Sequence, residues 1–146
     1  MHTVRVGIMG CGFIGGIHAT ALTKIEGARV AALCDAERDK AEQLGRELSL
    51  SGATTYERFE EMLEGEIDAV FICLPPFAHS DEVERAATAG KHVFIEKPIA
   101  LTRDAADRMV RATESAGIVT QVGYMMRFSP AIARIRSLIS DGTAGR

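Results

Sequence analysis

Residues 4–15 read Val4-Arg5-Val6-Gly7-Ile8-Met9-Gly10-Cys11-Gly12-Phe13-Ile14-Gly15, a short apolar run followed by glycines at spacings of two and three. The run from Val4 to Met9 has the length and the Val/Ile content of a strand buried on both faces. From Phe13 onward the apolar positions take up a helical period. A strand that breaks at Gly-x-Gly-x-x-Gly and restarts as a helix is shaped for a dinucleotide pyrophosphate. Gly10 permits the tight turn, Gly12 lets the backbone approach the phosphates, and Gly15 lets the helix pack on the strand. Phe13 and Ile14 open that helix, whose unpaired N–H groups offer partial positive charge to an anion. Turns collect glycine for steric reasons alone, so the motif carries weight because it joins the first strand to the first helix.

The alternation continues to residue 122. Further strands are expected at Val30 to Cys34, Ala69 to Leu74, His92 to Ile95 and Val119 to Val122, with a weaker one at Ala53 to Thr55. Helical periodicity covers Phe13 to Ile25, Glu37 to Leu48, Tyr56 to Leu63, Asp81 to Ala89 and Thr102 to Ala116. Gly27, Gly65, Gly90 and Gly117 stand where left-handed caps would stop helices. Strand-helix-strand crossovers are right-handed, so this order predicts an α/β fold: a Rossmann-type, doubly wound parallel sheet with helices on both faces. Residues 1–122 would form that domain. Residues 123–146 would be a linker helix, Ser129 to Ser140, whose tail Asp141-Gly142-Thr143-Ala144-Gly145-Arg146 reads as the unfinished start of a further domain.

Asp35 follows the second strand, twenty residues after Gly15. An acidic side chain there can accept both ribose hydroxyls of an adenosine, and would repel a 2′-phosphate, favouring NAD over NADP. Two features qualify this. Asp35 also suits a cap for the helix from Glu37, and Arg38 lies close enough to the adenosine to tolerate a phosphate.

Composition narrows the function classes. At 146 residues, 47% hydrophobic and 25% charged, the chain suits one globular domain with its own core. A net charge of −3 with interspersed signs gives no basic stripe for nucleic acid. No apolar run approaches the roughly 20 residues of a membrane helix, and the N-terminus runs straight into a strand, leaving no room for a leader. Cys11, Cys34 and Cys73 are odd in number and set in apolar stretches, which implies buried thiols in a reducing cytoplasm and no metal site. Met9, Met125 and Met126 read as gap-filling core residues.

Four stretches together resemble the Gfo/Idh/MocA family of oxidoreductases. They are Gly10 to Gly15; Asp68-Ala69-Val70-Phe71-Ile72-Cys73-Leu74-Pro75-Pro76 with His79 following; Glu96-Lys97-Pro98; and Gly123-Tyr124-Met125-Met126-Arg127-Phe128. The resemblance covers nearly the whole chain in the right order. It implies a cofactor domain followed by a larger open-sheet substrate domain. The implied reaction is reversible oxidation of a secondary hydroxyl on a sugar, cyclitol or related polyol. It assigns Lys97 to the active site beside the nicotinamide, where a flexible ammonium at a strand's carboxyl end can hold the reacting hydroxyl and help move its proton. An exposed loop lysine is the plainer alternative. Glu96 either pairs with Lys97 or ends the strand. Pro98 pushes Lys97 towards extended geometry, and the bond between them is a candidate cis peptide. Leu74 and Pro75 fall where the family's loop passes the cofactor. His79 is either a contact of the nicotinamide ribose or a plain helix-start residue. Arg127 is a candidate for touching substrate or the Glu96 region, while Tyr124 and Phe128 read as packing residues.

The family's substrate domain has no counterpart before Arg146, so poor turnover is expected of these residues alone. Two further classes compete: a non-catalytic NAD(H)-binding module working with a partner chain, and a methyltransferase, which also uses a glycine-rich first turn. Glu96-Lys97-Pro98 argues against methyl transfer, which needs no lysine there. Expected partners are a small polyol or sugar and either a second copy of the chain or a substrate-domain chain, with neither nucleic acid nor membrane.

Overall fold

The structure, a computed structural model, describes residues 3–143. Six strands alternate with helices: β1 (Val4–Met9), α1 (Phe13–Leu22), β2 (Ala28–Cys34), α2 (Arg38–Glu47), β3 (Thr54–Tyr56), α3 (Phe59–Glu64), β4 (Ala69–Ile72), α4 (Glu82–Thr88), β5 (His92–Ile95), α5 (Arg103–Ala116), β6 (Thr120–Val122) and α6 (Pro130–Ser140). They form one sheet in the order β3-β2-β1-β4-β5-β6, and every neighbouring pair is parallel. The chain therefore winds outward from β1 to β3, returns across β1 to β4, and winds outward again. Between β1 and β4 the two directions diverge, which opens a crevice at the carboxyl ends of those strands. At the opposite end, the guanidinium of Arg5 on β1 donates to both carboxylate oxygens of Asp68, just before β4, at 3.1 and 2.8 Å. That fork pins the two strands in register.

Period-two alternation divides the core. Val70, Ile72, Val93 and Ile95 face Phe59, Met62, Val83, Ala86 and Met109 of α3, α4 and α5. Val6, Ile8, Val30 and Leu33 face Ala19, Leu22, Ala41 and Leu44 of α1 and α2. Phe71 and Phe94 point to this second side, where they stack at 4.5 Å between centroids and remain half-buried. The edge of α1 is what reaches over them.

Several expected boundaries shift. Helix α1 stops at Leu22, although the apolar pattern runs on to Ile25, because the chain turns towards β2 through Gly27 at φ +82°. Strand β2 accordingly starts at Ala28, and β4 ends at Ile72. Tyr56 belongs to β3, paired with Cys34, and not to the following helix. Gly90 and Gly117 are left-handed, at φ +68° and +64°, as helix stops require. Gly65 is not: its backbone is extended, and its missing side chain is explained by the Tyr56 hydroxyl, 2.7 Å from where a Cβ would sit.

The segment after β6 departs furthest from expectation. Met125, Met126, Tyr124 and Phe128 are 60–74% exposed, so they are not core residues of the described chain, and of Met9, Met125 and Met126 it is Met9 alone that packs against the interior. Helix α6 has no buried residue, and Ile135 and Ile139 stand out from it. Of the tail, Asp141 to Thr143 form a turn, while Ala144, Gly145 and Arg146 lie outside the described residues. Among the described residues no helix is long and apolar enough to cross a membrane.

Candidate functional site

The glycine turn sits at the mouth of the crevice. Gly10 has φ +90°, and a Cβ on it would lie 2.7 Å from the Cys73 carbonyl oxygen at the end of β4. Only glycine meets both demands. A Cβ on Gly15 would lie 2.0 Å from the Gly10 carbonyl oxygen, so the first turn of α1 is pressed against the loop. Gly12 has nothing within 4 Å of its Cβ position; its bare backbone faces open space at the helix start. No side chain caps α1, which leaves the N–H groups of its first turn free for an anion.

Asp35 straps this turn to the next loop. One carboxylate oxygen accepts from the Cys11 N–H at 2.8 Å, and the other accepts from the Glu37 N–H at 3.0 Å. It closes a local turn ahead of α2 and does not cap that helix, contrary to the plainer expectation: the N-cap position is Glu37, and no side chain caps it. Each oxygen still has lone-pair capacity, so the strap is compatible with receiving ribose hydroxyls. Arg38 turns along α2 and donates to Glu42 at 2.9 Å.

Two hollows flank the turn and share Leu74. The first, about 260 Å³, is lined by Gly10, Asp35, Glu57, Phe59, Leu74 and Glu82. Its three carboxyl groups make it acidic, a wall that the sequence reading did not foresee beyond Asp35. The second, about 360 Å³, is lined by Gly12, Phe13, Ile14, Leu74, Pro75, Glu96 and Lys97, with Cys73 and Pro76. A larger open groove between α1 and α2 starts at the same turn, at Cys11, Gly12 and Phe13, and runs along the two helices without gathering Asp35 or Lys97.

Lys97 is exposed at the end of β5, and its bond to Pro98 is cis. Glu96 behind it is well buried, its side chain 12% exposed. Its Oε1 meets the Nε2 of His18 at 2.8 Å, and its Oε2 accepts from the Lys97 N–H at 3.1 Å. Glu96 therefore binds the backbone of Lys97, and its side-chain partner is a histidine of α1. A Cβ on Gly123 would come within 2.8–3.1 Å of that carboxylate group, so Gly123 is the clearance through which Glu96 reaches His18. Neither His18 nor Gly123 was expected. Sequence did hold a signal for the first: Gly15, Ala19 and Leu22 form the buried stripe of α1, and His18 is the polar residue on that same stripe.

His79 is not brought to Lys97. Its side chain is 4% exposed, follows a 3-10 turn over Pro76–Ala78, and lines a separate hollow with Leu101, Thr102 and Met109. Arg127, in a 3-10 turn after β6, has no side-chain partner among the described residues.

Burial first, and then neighbouring charge, pushes the thiols of Cys11, Cys34 and Cys73 up to about 12. All three are free and stay protonated under ordinary conditions, so none is a nucleophile.

The family described as "Oxidoreductase family, NAD-binding Rossmann fold", GFO_IDH_MocA, matches residues 4–124. The chain is 34% identical over 146 residues to scyllo-inositol 2-dehydrogenase (NAD(+)) of Bacillus subtilis, covering 99% of this chain and 42% of that protein. It is 33% identical to myo-inositol 2-dehydrogenase of Thermotoga maritima, covering 98% and 42% respectively. Among solved structures, scyllo-inositol dehydrogenase from Lactobacillus casei with bound cofactor NAD(H) and scyllo-inositol superposes with a TM-score of 0.88 at 34% identity, over 97% of this chain and 42% of that one. The chain thus spans less than half the length of these relatives.

Proposed function

The chain belongs to the Gfo/Idh/MocA oxidoreductase family, and from that premise we propose that it binds NAD and serves a dehydrogenase acting on a secondary hydroxyl of a cyclitol, sugar or related polyol. The observation that carries this reading is the pair of hollows sharing Leu74 on either side of the glycine turn. Adenosine fits the first, with its ribose on Asp35. The pyrophosphate crosses the open backbone at Gly12 and the uncapped start of α1. The nicotinamide half fits the second, among Phe13, Ile14, Pro75, Glu96 and Lys97. Three carboxyl groups around the adenosine hollow disfavour the 2′-phosphate of NADP, and Arg38, engaged with Glu42, does little to offset them.

When bound, the nicotinamide supplies the hydride acceptor. The protein's part is to hold the substrate hydroxyl and take its proton. Lys97 is the residue for both: it lines the nicotinamide hollow, its Nζ has no protein partner among the described residues, and it can donate a hydrogen bond to the substrate oxygen as an ammonium and take the hydroxyl proton as a free amine. The inositol dehydrogenases among its relatives suggest a cyclitol as the substrate class. The exposed face from Tyr124 to Ile139 is proposed as an association surface, and the three free thiols favour a cytoplasmic setting.

The test is a titration of the chain with NADH, followed by fluorescence, against a parallel titration with S-adenosylmethionine. Saturable NADH binding without S-adenosylmethionine binding is expected. The reverse would replace hydride transfer with methyl transfer.

A further inference from the structure

Helix α1 carries one polar side chain on the stripe that faces the sheet. The His18 ring stands edge-on to Phe71 at 5.5 Å and 73°, and to Phe94 at 4.9 Å and 64°, where it closes the half-covered side of β4 and β5. A leucine or phenylalanine would close that surface without a polar group to satisfy. The imidazole instead turns its Nε2 to Glu96, 78 positions away, at 2.8 Å. An ionised carboxylate only accepts, so Nε2 is the protonated nitrogen of this contact.

Glu96 has two partners in the structure, the His18 ring and the backbone N–H of the residue after it. A carboxylate this well buried stays in place only while it is paired. Its charge is felt by the neighbouring Cys73 thiol, which burial and then Glu96 push up to about 12. Without His18 the carboxylate would gain by swinging out to water, and the Lys97 N–H would lose its acceptor.

We propose that His18 is a positioning residue for the nicotinamide half of the site: through Glu96 it fixes the backbone of Lys97, and with it the wall against which the nicotinamide and the substrate hydroxyl are held. The inference rests on the NAD-binding reading above. It differs from a role in folding, because its effect is confined to one of the two hollows. Asp35, Glu57 and Glu82 belong to the other.

ADP and NADH separate the two halves, since ADP carries only the adenosine and the pyrophosphate. In the 146-residue chain, His18→Leu keeps the contact with Phe71 and Phe94 and removes the donor. It should weaken NADH by about tenfold, the loss of one charge-assisted hydrogen bond, and leave ADP within about twofold. His18→Gln, which retains an N–H of similar reach, should restore NADH affinity. The proton resonance of the Lys97 amide should move upfield in His18→Leu and return in His18→Gln. Equal losses of ADP and NADH, an unchanged ratio in His18→Leu, or a glutamine variant as weak as the leucine one would overturn the proposal. If the parent chain binds neither ADP nor NADH, it is the NAD-binding reading that fails. Should His18→Leu not fold, His18→Asn, too short to reach Glu96, takes its place in the same comparison with His18→Gln.

Discussion

Replacing Asp35 with alanine should damage stability and cofactor binding by separable amounts. The carboxylate accepts two backbone N–H groups, from Cys11 in partly buried surroundings and from exposed Glu37. Water can replace it at Glu37. At Cys11 it cannot do so freely, so the cost there is about 1.5–3 kcal/mol, the usual range for a hydrogen bond to a charged acceptor. In a domain of this size each kcal/mol moves Tm by roughly 2–4 °C, so a fall of about 3–12 °C is expected by calorimetry. Loss of the ribose hydroxyl contacts should weaken NADH by about tenfold or more on top of that. Asp35→Asn separates the two effects. Its amide oxygen can still receive the Cys11 N–H, so Tm should largely recover. The lost charge should still weaken NADH and narrow the preference over NADPH. A lower Tm with unchanged NADH affinity in Asp35→Ala would leave Asp35 a strap between loops and nothing more. No change in either quantity would refute the hydrogen-bond reasoning itself.

Gly12→Val places a branched side chain in the open space above the glycine turn, where nothing lies within 4 Å; circular dichroism should stay native while NADH binding is lost, and normal binding would sink the pyrophosphate assignment. Lys97→Met should leave NADH affinity nearly unchanged and lower turnover by about 10²- to 10⁴-fold in a form that has its substrate-binding half; turnover at the parent rate would remove Lys97 from the chemistry. The thiols of Cys11, Cys34 and Cys73 sit at about 12 when folded against an ordinary value of 9.0. Raised folded values give stability that is complete below about pH 9 and lost as pH climbs towards 12. The urea midpoint should therefore drop between pH 8 and pH 10.5, and less so when all three are alanine; an equal drop in both proteins would assign the effect elsewhere. Sedimentation velocity should show association that weakens when Phe128 and Ile139, 74% and 58% exposed, become serine; a concentration-independent monomer would count against that surface.

Much of the fold was legible because its signals are local. Six apolar runs, a glycine turn after the first and amphipathic segments between them leave few arrangements other than a doubly wound sheet. The misread boundaries share a cause. Thr23, Lys24 and Ile25 continue the helical pattern, and only the left-handed Gly27 stops it; Tyr56 looks like a helix start until its hydroxyl is seen over Gly65. The site was legible by halves. Gly10, Gly12, Gly15 and Asp35 stand out through spacing, whereas Lys97 stands out only through the family resemblance of Glu96-Lys97-Pro98. The His18–Glu96 pair, the Gly123 clearance and the acidic wall of Glu57 and Glu82 are products of topology, which brings together segments that no window of sequence contains. Met125 and Met126 show the converse error: apolar character alone assigned them to the interior, and the chain gives them nothing to pack against.

The clearance at Gly123 also has a lesson for anyone who would transplant the end of this fifth strand. Glu96, Lys97 and Pro98 look portable, a tripeptide that could be written onto the fifth strand of any scaffold of this shape. In this molecule the carboxylate is accommodated by an imidazole from the first helix and by the bare backbone that follows the sixth strand. A graft that leaves those two positions behind would carry the letters of the motif without the geometry that holds them. The smallest transferable unit is therefore not three adjacent residues but five, drawn from three separate stretches of chain.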